Sequence, residues 1–270
     1  LGEIIKRILI IAHYETLFNI GAENSAFCYA VFSLNIVIVA ALLVALRGLF
    51  HHEAVCKILG GVLVSRGDLL RGDGYDRILG KQRIADVDMI ELNISCPNVK
   101  KGGATWGVTC EGAASVTKAV RNATKKPVIV KLTPNVTDIT EIARAVEAEG
   151  ADSVSVINTL LGMRIDIRTR RPILHNNVGG LSGPAIFPVA VRMVWQVSNA
   201  VKIPVIGMGG IATAEDAIEM MMAGASALQM GTAIFNDPYA PIKVCEGIEK
   251  FLIENKIEKL SDIVGTVKPW

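Results

Sequence analysis

Asn93-Ile94-Ser95-Cys96-Pro97-Asn98 is the stretch of this sequence best equipped for chemistry. It ends a short apolar run, Asp88–Asn93 (DMIELN), so Asn93 falls at the close of a candidate strand, where its side chain can reach a site beyond. Pro97 stiffens the following loop. A thiolate at Cys96 can serve as a nucleophile or as a base. A lone cysteine is more often passive, but this one is flanked by two asparagines. His13, His51, His52 and His175 all fall elsewhere, so a Cys–His nucleophile pair has little support.

Two further features point to an anionic ligand. Gly209-Gly210 and Gly231-Thr232 each close an apolar run, Ile203–Met208 and Ala225–Met230. Glycines there let backbone amides approach a phosphate. The helix beginning near Thr213 can add its positive end. One such pair would read as an ordinary turn; two on consecutive strands favour a phosphate site. Lys131 sits inside the apolar run VIVKLT. It must either meet a charge or cofactor there or snorkel to water from the strand end.

The elements that carry these residues alternate regularly from about residue 85 onward. Strands are expected at Asp88–Asn93, Pro127–Thr133, Ser153–Ile157, Ile203–Met208 and Ala225–Met230. Helices are expected at Gly112–Ala123, from a Thr137 cap to Glu149, from Pro184 to Ala200, at Thr213–Ala223 and at Ala240–Glu254. Asn158–Gly183 reads as a long loop. Apolar strands with crossover helices imply a parallel sheet. A doubly wound sheet fits the alternation too, but the loops favour an α/β fold of the (β/α)₈ TIM-barrel type. Asn93, Lys131, Asn158, Gly209-Gly210 and Gly231-Thr232 all gather at strand C-terminal ends, the rim where such barrels place their sites. No G-x-G-x-x-G argues for a dinucleotide fold.

Composition narrows the function. The 270 residues suit one barrel of about 250 residues. A net charge of +2 and 5% aromatics give no case for nucleic acid. Five cysteines without C-x-x-C spacing exclude a zinc or iron–sulfur motif and suit a reducing, cytoplasmic setting. Cys28, Cys56, Cys110 and Cys245 read as small buried hydrophobes. No metal site is expected. Leu1 in the place of Met points to an incomplete or processed start, and no cleavable signal is apparent.

Over residues 85–266 the chain resembles the dihydroorotate dehydrogenases, specifically the class 1B catalytic subunit. The resemblance is carried by ELNISCPN (Glu91–Asn98), VKLTPNVTDI (Val130–Ile139), INTLLGMRIDIRTRRPIL (Ile157–Leu174), GGLSGPAI (Gly179–Ile186), PVIGMGGI (Pro204–Ile211) and MGTAIF (Met230–Phe235), in that family's order. It implies an FMN lying across the barrel mouth. The FMN phosphate would rest on Gly209, Gly210, Gly231 and Thr232, with Gly183 beneath the cofactor. Lys131 would face the flavin ring, and Asn93 and Ile157 would contact FMN. Asn93, Asn98, Asn158 and Thr159 would bind the pyrimidine. Cys96 would be the base that removes a proton from carbon 5 of dihydroorotate while a hydride leaves carbon 6. Cysteine at 96 resembles class 1, since class 2 enzymes carry serine there. The resemblance also implies orotate as product, a place in de novo pyrimidine (UMP) biosynthesis, a homodimer, and a partner subunit carrying FAD and an iron–sulfur cluster that passes electrons to NAD⁺.

Residues 1–84 depart from that pattern, although the whole of 1–270 is expected to form a single domain. Ile8–Ile11 and Gly61–Val64 are candidate strands, but the family's Ser-Gly turn, Lys-Gly pair and Asn-x-x-Gly-Leu segment are missing. Asn24–Leu46 carries no charge and is long enough to span a bilayer, where roughly 20 residues suffice. Three explanations compete, in this order: a misread or frameshifted stretch, a diverged barrel half, and a membrane segment. The alternatives to an active enzyme follow from this. One is a non-catalytic flavin-binding remnant, one a pyrimidine-reducing domain like that of dihydropyrimidine dehydrogenase, and one a membrane-tethered barrel.

Overall fold

Short β-branched runs form the wall of this protein, and amphipathic runs between them pack against its outside. The computed structural model describes residues 8–9, 61–65, 88–94 and 104–270. In chain order the first elements are β1 (Ile8–Leu9), β2 (Gly61–Ser65), β3 (Met89–Asn93), α1 (Ala104–Gly107), α2 (Cys110–Ala123), β4 (Val128–Lys131), α3 (Ile139–Ala148) and β5 (Ser153–Val156). Four short strands follow: β6 (Leu160–Gly162), β7 (Ile165–Asp166), β8 (Arg171–Pro172) and β9 (Gly179–Leu181). A 3₁₀ turn, Pro184–Ile186, leads into α4 (Phe187–Ser198), β10 (Val205–Met208), α5 (Ala214–Met222), β11 (Ala225–Gln229), α6 (Ala233–Asn236) and α7 (Ala240–Glu254). A last 3₁₀ turn covers Leu260–Ile263.

The seven longer-range strands form one sheet in the order β1-β11-β10-β5-β4-β3-β2, with every neighbouring pair parallel. The sheet is not flat. Gln229 on β11 donates from Nε2 to Oε2 of Glu91 on β3 at 2.7 Å, and both side chains are buried. Those strands lie four positions apart, about 19 Å on a flat sheet at roughly 4.8 Å per strand. Only a sheet curled on itself brings them together, so the interior is that of a barrel. Among the described residues no strand joins β1 to β2, and the wall is one strand short of eight.

The helices bury a single face. In α3 the buried residues are Ile139, Ile142, Ala143 and Val146, the three-and-four spacing of an amphipathic helix. Fully burying a side chain such as Ile142 contributes about 1.5–3 kcal/mol. Polar groups lock the strand N-terminal face, which in such barrels serves stability rather than catalysis. Asp152 accepts from the Val128 amide at 2.7 Å and pairs with Arg121 at 2.7 Å, tying the end of α2 to β4 and β5. Glu147 Oε1 accepts from the amides of Lys202 and Ile203, tying α3 to the start of β10.

Strands and helices fall where the sequence places them, within a few residues, and three details differ. The cap of α3 is Asp138, not Thr137: its carboxylate accepts from the Thr140 amide at 2.8 Å and from the Thr140 hydroxyl at 2.7 Å. Those bonds hold the Asp138 carboxyl below its ordinary range. Asn158–Gly183 is not a plain loop. It folds into two antiparallel ribbons, β6 with β9 and β7 with β8. Strands of two or three residues carry no readable period, so only tertiary pairing reveals them. For the same reason the four-residue helices α1 and α6 were not foreseen. Among the described residues no helix is long and apolar enough to cross a membrane. The uncharged Asn24–Leu46 stretch lies outside the described residues.

Candidate functional site

The C-terminal ends of the parallel strands gather two kinds of groups. On one side, β3, β4 and β5 bring buried polar side chains together. Asn93, Lys131 and Ser155 are register neighbours across these three strands, so they share the inner face. Lys131 is only 1% exposed, which rules out an ammonium reaching open water. A lysine is kept in such a place only where charge or hydrogen bonds compensate for lost hydration.

Asn158 Nδ2 donates to Asn93 Oδ1 at 3.2 Å, and both residues are buried. The orientation of the Asn158 amide is set by its other end, since Oδ1 accepts from the Thr159 amide at 2.8 Å. The backbone is held as firmly: Asn158 N donates to Leu132 O at 2.8 Å, and Ile157 N donates to Met208 O at 3.0 Å. The sheet's hydrogen bonding therefore continues past β5 and presents residues 157–159 to the rim. Asn135 braces this segment. It donates from Nδ2 to Thr133 Oγ1 and to Thr159 O, and its Oδ1 accepts from the Leu161 amide. Asn135 and Thr133 lie within a quoted motif but carried no signal of their own as bracing residues.

The other side of the rim is built from backbone. Gly209 and Gly210 follow β10 with φ of 123° and 82°, the region that only glycine occupies without strain. A Cβ on Gly210 would stand 2.7 Å from the Gly183 carbonyl oxygen and 2.9 Å from Phe187. A Cβ on Gly209 would stand 2.8 Å from the Ala190 Cβ. The 183–187 turn and the 209–210 turn thus touch with no room for side chains. Gly183 itself lies against Thr232, whose hydroxyl donates to Ser182 Oγ at 2.9 Å. The turns after β10 and β11 and the turn before α4 therefore form one cluster, and Ser182 is a member that sequence reasoning missed.

The N-terminus of α5 is capped by its own side chains. Thr213 and Asp216 form a reciprocal cap: Asp216 N donates to Thr213 Oγ1, while the Asp216 carboxylate accepts from the Thr213 and Ala212 amides. The carboxylate in the first turn offsets part of the helix's positive end.

Cys96 and Asn98 lie outside the described residues. Of the other cysteines, Cys245 is buried, and burial pushes its thiol up to about 11, as suits a passive core residue. His175 is exposed on its loop. Among the described residues no group of three or more His, Cys, Asp or Glu side chains is placed to hold a metal.

Beneath the rim lies a polar set that sequence reasoning also missed. Glu91, Ser155 and Gln229 are all buried in strands, yet Glu91 Oε1, Ser155 Oγ and Gln229 Oε1 have no hydrogen-bond partner among the described residues. Each such orphan costs about 1–3 kcal/mol if left dry. Single polar residues in apolar strands were legible, but nothing in the sequence says that these three share one interior.

A parallel barrel with a glycine cluster after its last two strands is the architecture of the phosphate-binding (β/α)₈ enzymes. The fold agrees with a solved structure of a DHODH from Eimeria tenella in complex with ferulenol: TM-score 0.59, 24% identity, covering 71% of this chain and 57% of that one. The dihydroorotate dehydrogenase family model matches residues 70–252, and the chain belongs to that family. The match begins at residue 70, somewhat ahead of the boundary expected near 85. The chain is 59% identical over 191 residues to the dihydroorotate dehydrogenase B (NAD(+)) catalytic subunit of Alkaliphilus oremlandii, covering 71% of this chain and 63% of the relative. It is 61% identical over 178 residues to the subunit of the same name from Porphyromonas gingivalis, covering 66% and 58%. The chain therefore spans about six tenths of the length of these curated relatives.

Proposed function

We propose that the chain provides the FMN-binding barrel of an enzyme that oxidises (S)-dihydroorotate to orotate in de novo pyrimidine biosynthesis. The observation that carries this reading is the pairing of the two rim sides: a side-chain-free glycine cluster facing buried Asn93, Lys131 and Asn158. The residues present fit FMN. Gly209, Gly210, Gly231 and Thr232 put half-buried backbone where a phosphate needs close approach, with Gly183 buried against them. A buried ammonium at Lys131 suits a ring that becomes negative on reduction. Asn93 and Ile157 complete the contacts to the cofactor.

FMN, when bound, supplies the acceptor for the hydride that leaves carbon 6 of dihydroorotate. The chain's own groups do the rest. The paired amides of Asn93 and Asn158, with Thr159 and Asn98, hold the pyrimidine by complementary donors and acceptors. Their mutual hydrogen bond fixes them before substrate arrives, which lowers the ordering cost of binding. Cys96, as thiolate, takes the proton from carbon 5. A free cysteine has a pKa of roughly 8.5, so the rate should rise with pH as the thiolate forms. Electrons leave through an accessory subunit carrying FAD and an iron–sulfur cluster, which reduces NAD⁺. The assembly is a cytoplasmic homodimer of catalytic subunits with two such partners, and 1–270 acts as one domain.

Anaerobic mixing of the purified protein with dihydroorotate, followed by flavin absorbance, tests the reading. Bleaching is the expected result. Cys96→Ala should keep FMN and lose most of that bleaching. Unchanged bleaching in the variant would refute the base, and bound flavin that never bleaches would favour a non-catalytic flavoprotein.

A further inference from the structure

The barrel interior has a regular layering that the strand register makes explicit. In an eight-stranded barrel the side chains of alternate strands form layers, and a layer climbs about one residue per strand. Glu91 is level with Ile129 on β4 and Ser153 on β5, so two strands on the same layer reaches Ser155. Ser155 is level with Ile206 on β10 and Ala227 on β11, so two strands further it reaches Gln229. Glu91, Ser155 and Gln229 are thus one layer. Each also carries a buried oxygen with no hydrogen-bond partner among the described residues. Barrel layers are ordinarily Val, Ile and Leu. Here three polar residues share a layer, two of them already joined by the 2.7 Å bond across the interior.

The unmet groups have a definite chemistry. Glu91 Oε1 and Gln229 Oε1 can only accept from their side, whereas the Ser155 hydroxyl can donate. A water molecule donates twice and accepts, which matches that set. Buried polar groups without protein partners are the usual hosts of ordered water. Ser155 is moreover the register neighbour of Lys131 on the same inner face. Lys131 therefore springs from the strand position beside this layer.

We propose that Glu91, Ser155 and Gln229 form a buried water-binding layer of the barrel, and that through it Glu91 is a positioning residue for Lys131. The Glu91 carboxylate and its water hold the ammonium at its level and offset part of its charge. This role rests on the reading of Lys131 as the residue facing the flavin.

A high-resolution crystal structure of the full FMN-loaded protein should show a water within hydrogen-bond distance of Glu91 Oε1, Ser155 Oγ and Gln229 Oε1. A dry layer would overturn the site. Ser155→Ala, which removes one partner without adding bulk, should weaken that density, and full occupancy in the variant counts against it. The positioning role is read from the midpoint potential of the bound flavin. Glu91→Gln should keep FMN and shift the potential positive, while Lys131→Met shifts it negative. A shift with Lys131→Met alone refutes the role of Glu91. No shift with either variant refutes instead the placement of Lys131 against the flavin.

Discussion

The two sides of the barrel mouth solve the same problem by opposite means. Around β10 and β11 the working surface is backbone: Gly183, Gly209 and Gly210 adopt positive φ, and their neighbours pack where side chains would stand. Around β3, β4 and β5 the working surface is side chain, with Asn93, Lys131 and Asn158 buried and Asn158 hydrogen-bonded to Asn93. Backbone amides suit an anion of fixed shape, because they point without rotamer freedom. Amide side chains suit a heterocycle, because each offers both a donor and an acceptor in one plane. The difference predicts that damage on the glycine side should remove the cofactor, while loss of Asn158, which faces the substrate alone, should leave cofactor in place and weaken the substrate.

The largest effect is expected from Gly210→Val. A β-branched residue at φ 82° collides with Gly183 and Phe187. Left-handed strain and overpacking together cost about 2–5 kcal/mol, roughly 30- to 4000-fold in affinity if the turn must open. Flavin content per chain after purification should fall near zero. Full flavin content would show that this turn does not hold the phosphate. A middling effect is expected from Asn158→Ala. It removes the Asn158 amide and its hydrogen bond to Asn93 Oδ1, at a cost of about 1–3 kcal/mol, so orotate affinity should drop roughly tenfold or more with flavin content unchanged. If flavin is lost as readily as in Gly210→Val, the division between the two sides fails.

The smallest effect is expected from a residue on neither side. Asp138→Ala removes the cap of α3, and should lower the melting temperature slightly without changing flavin content or orotate affinity. Because hydrogen bonds from Thr140 lower the folded carboxyl, its stabilisation is present at neutral pH and lost as pH falls through that lowered value. The gap in melting temperature between the two proteins should therefore close in acid. A gap that widens in acid would refute the assignment of the cap to the carboxylate.

How much of this could be read from the chain depends on how local the cause is. Val128–Lys131 declares itself as a strand because β-branched residues fill three consecutive positions, Val128 to Val130. Thr213 and Asp216 declare a helix start three residues apart, and their reciprocal capping bonds form there. Lys131 was legible as a misfit in an apolar run, and Asn93 as the polar end of one. Asn135 was not, since its partners Thr159 and Leu161 lie beyond an intervening helix and strand.

What the sequence determined by itself is the alternation of strands and helices, the parallel sheet they imply, and the residue types available at each strand end. Those follow from periodicity and propensity, which act over a few residues. Only the tertiary structure decided that Gly183 meets Gly210, that Asn93 meets Asn158, and that Glu91 meets Gln229 across 138 residues of chain. Such contacts depend on strand register and on the curl of the sheet. A one-residue slip in register would send each of these side chains to the opposite face, so no local pattern could have specified them.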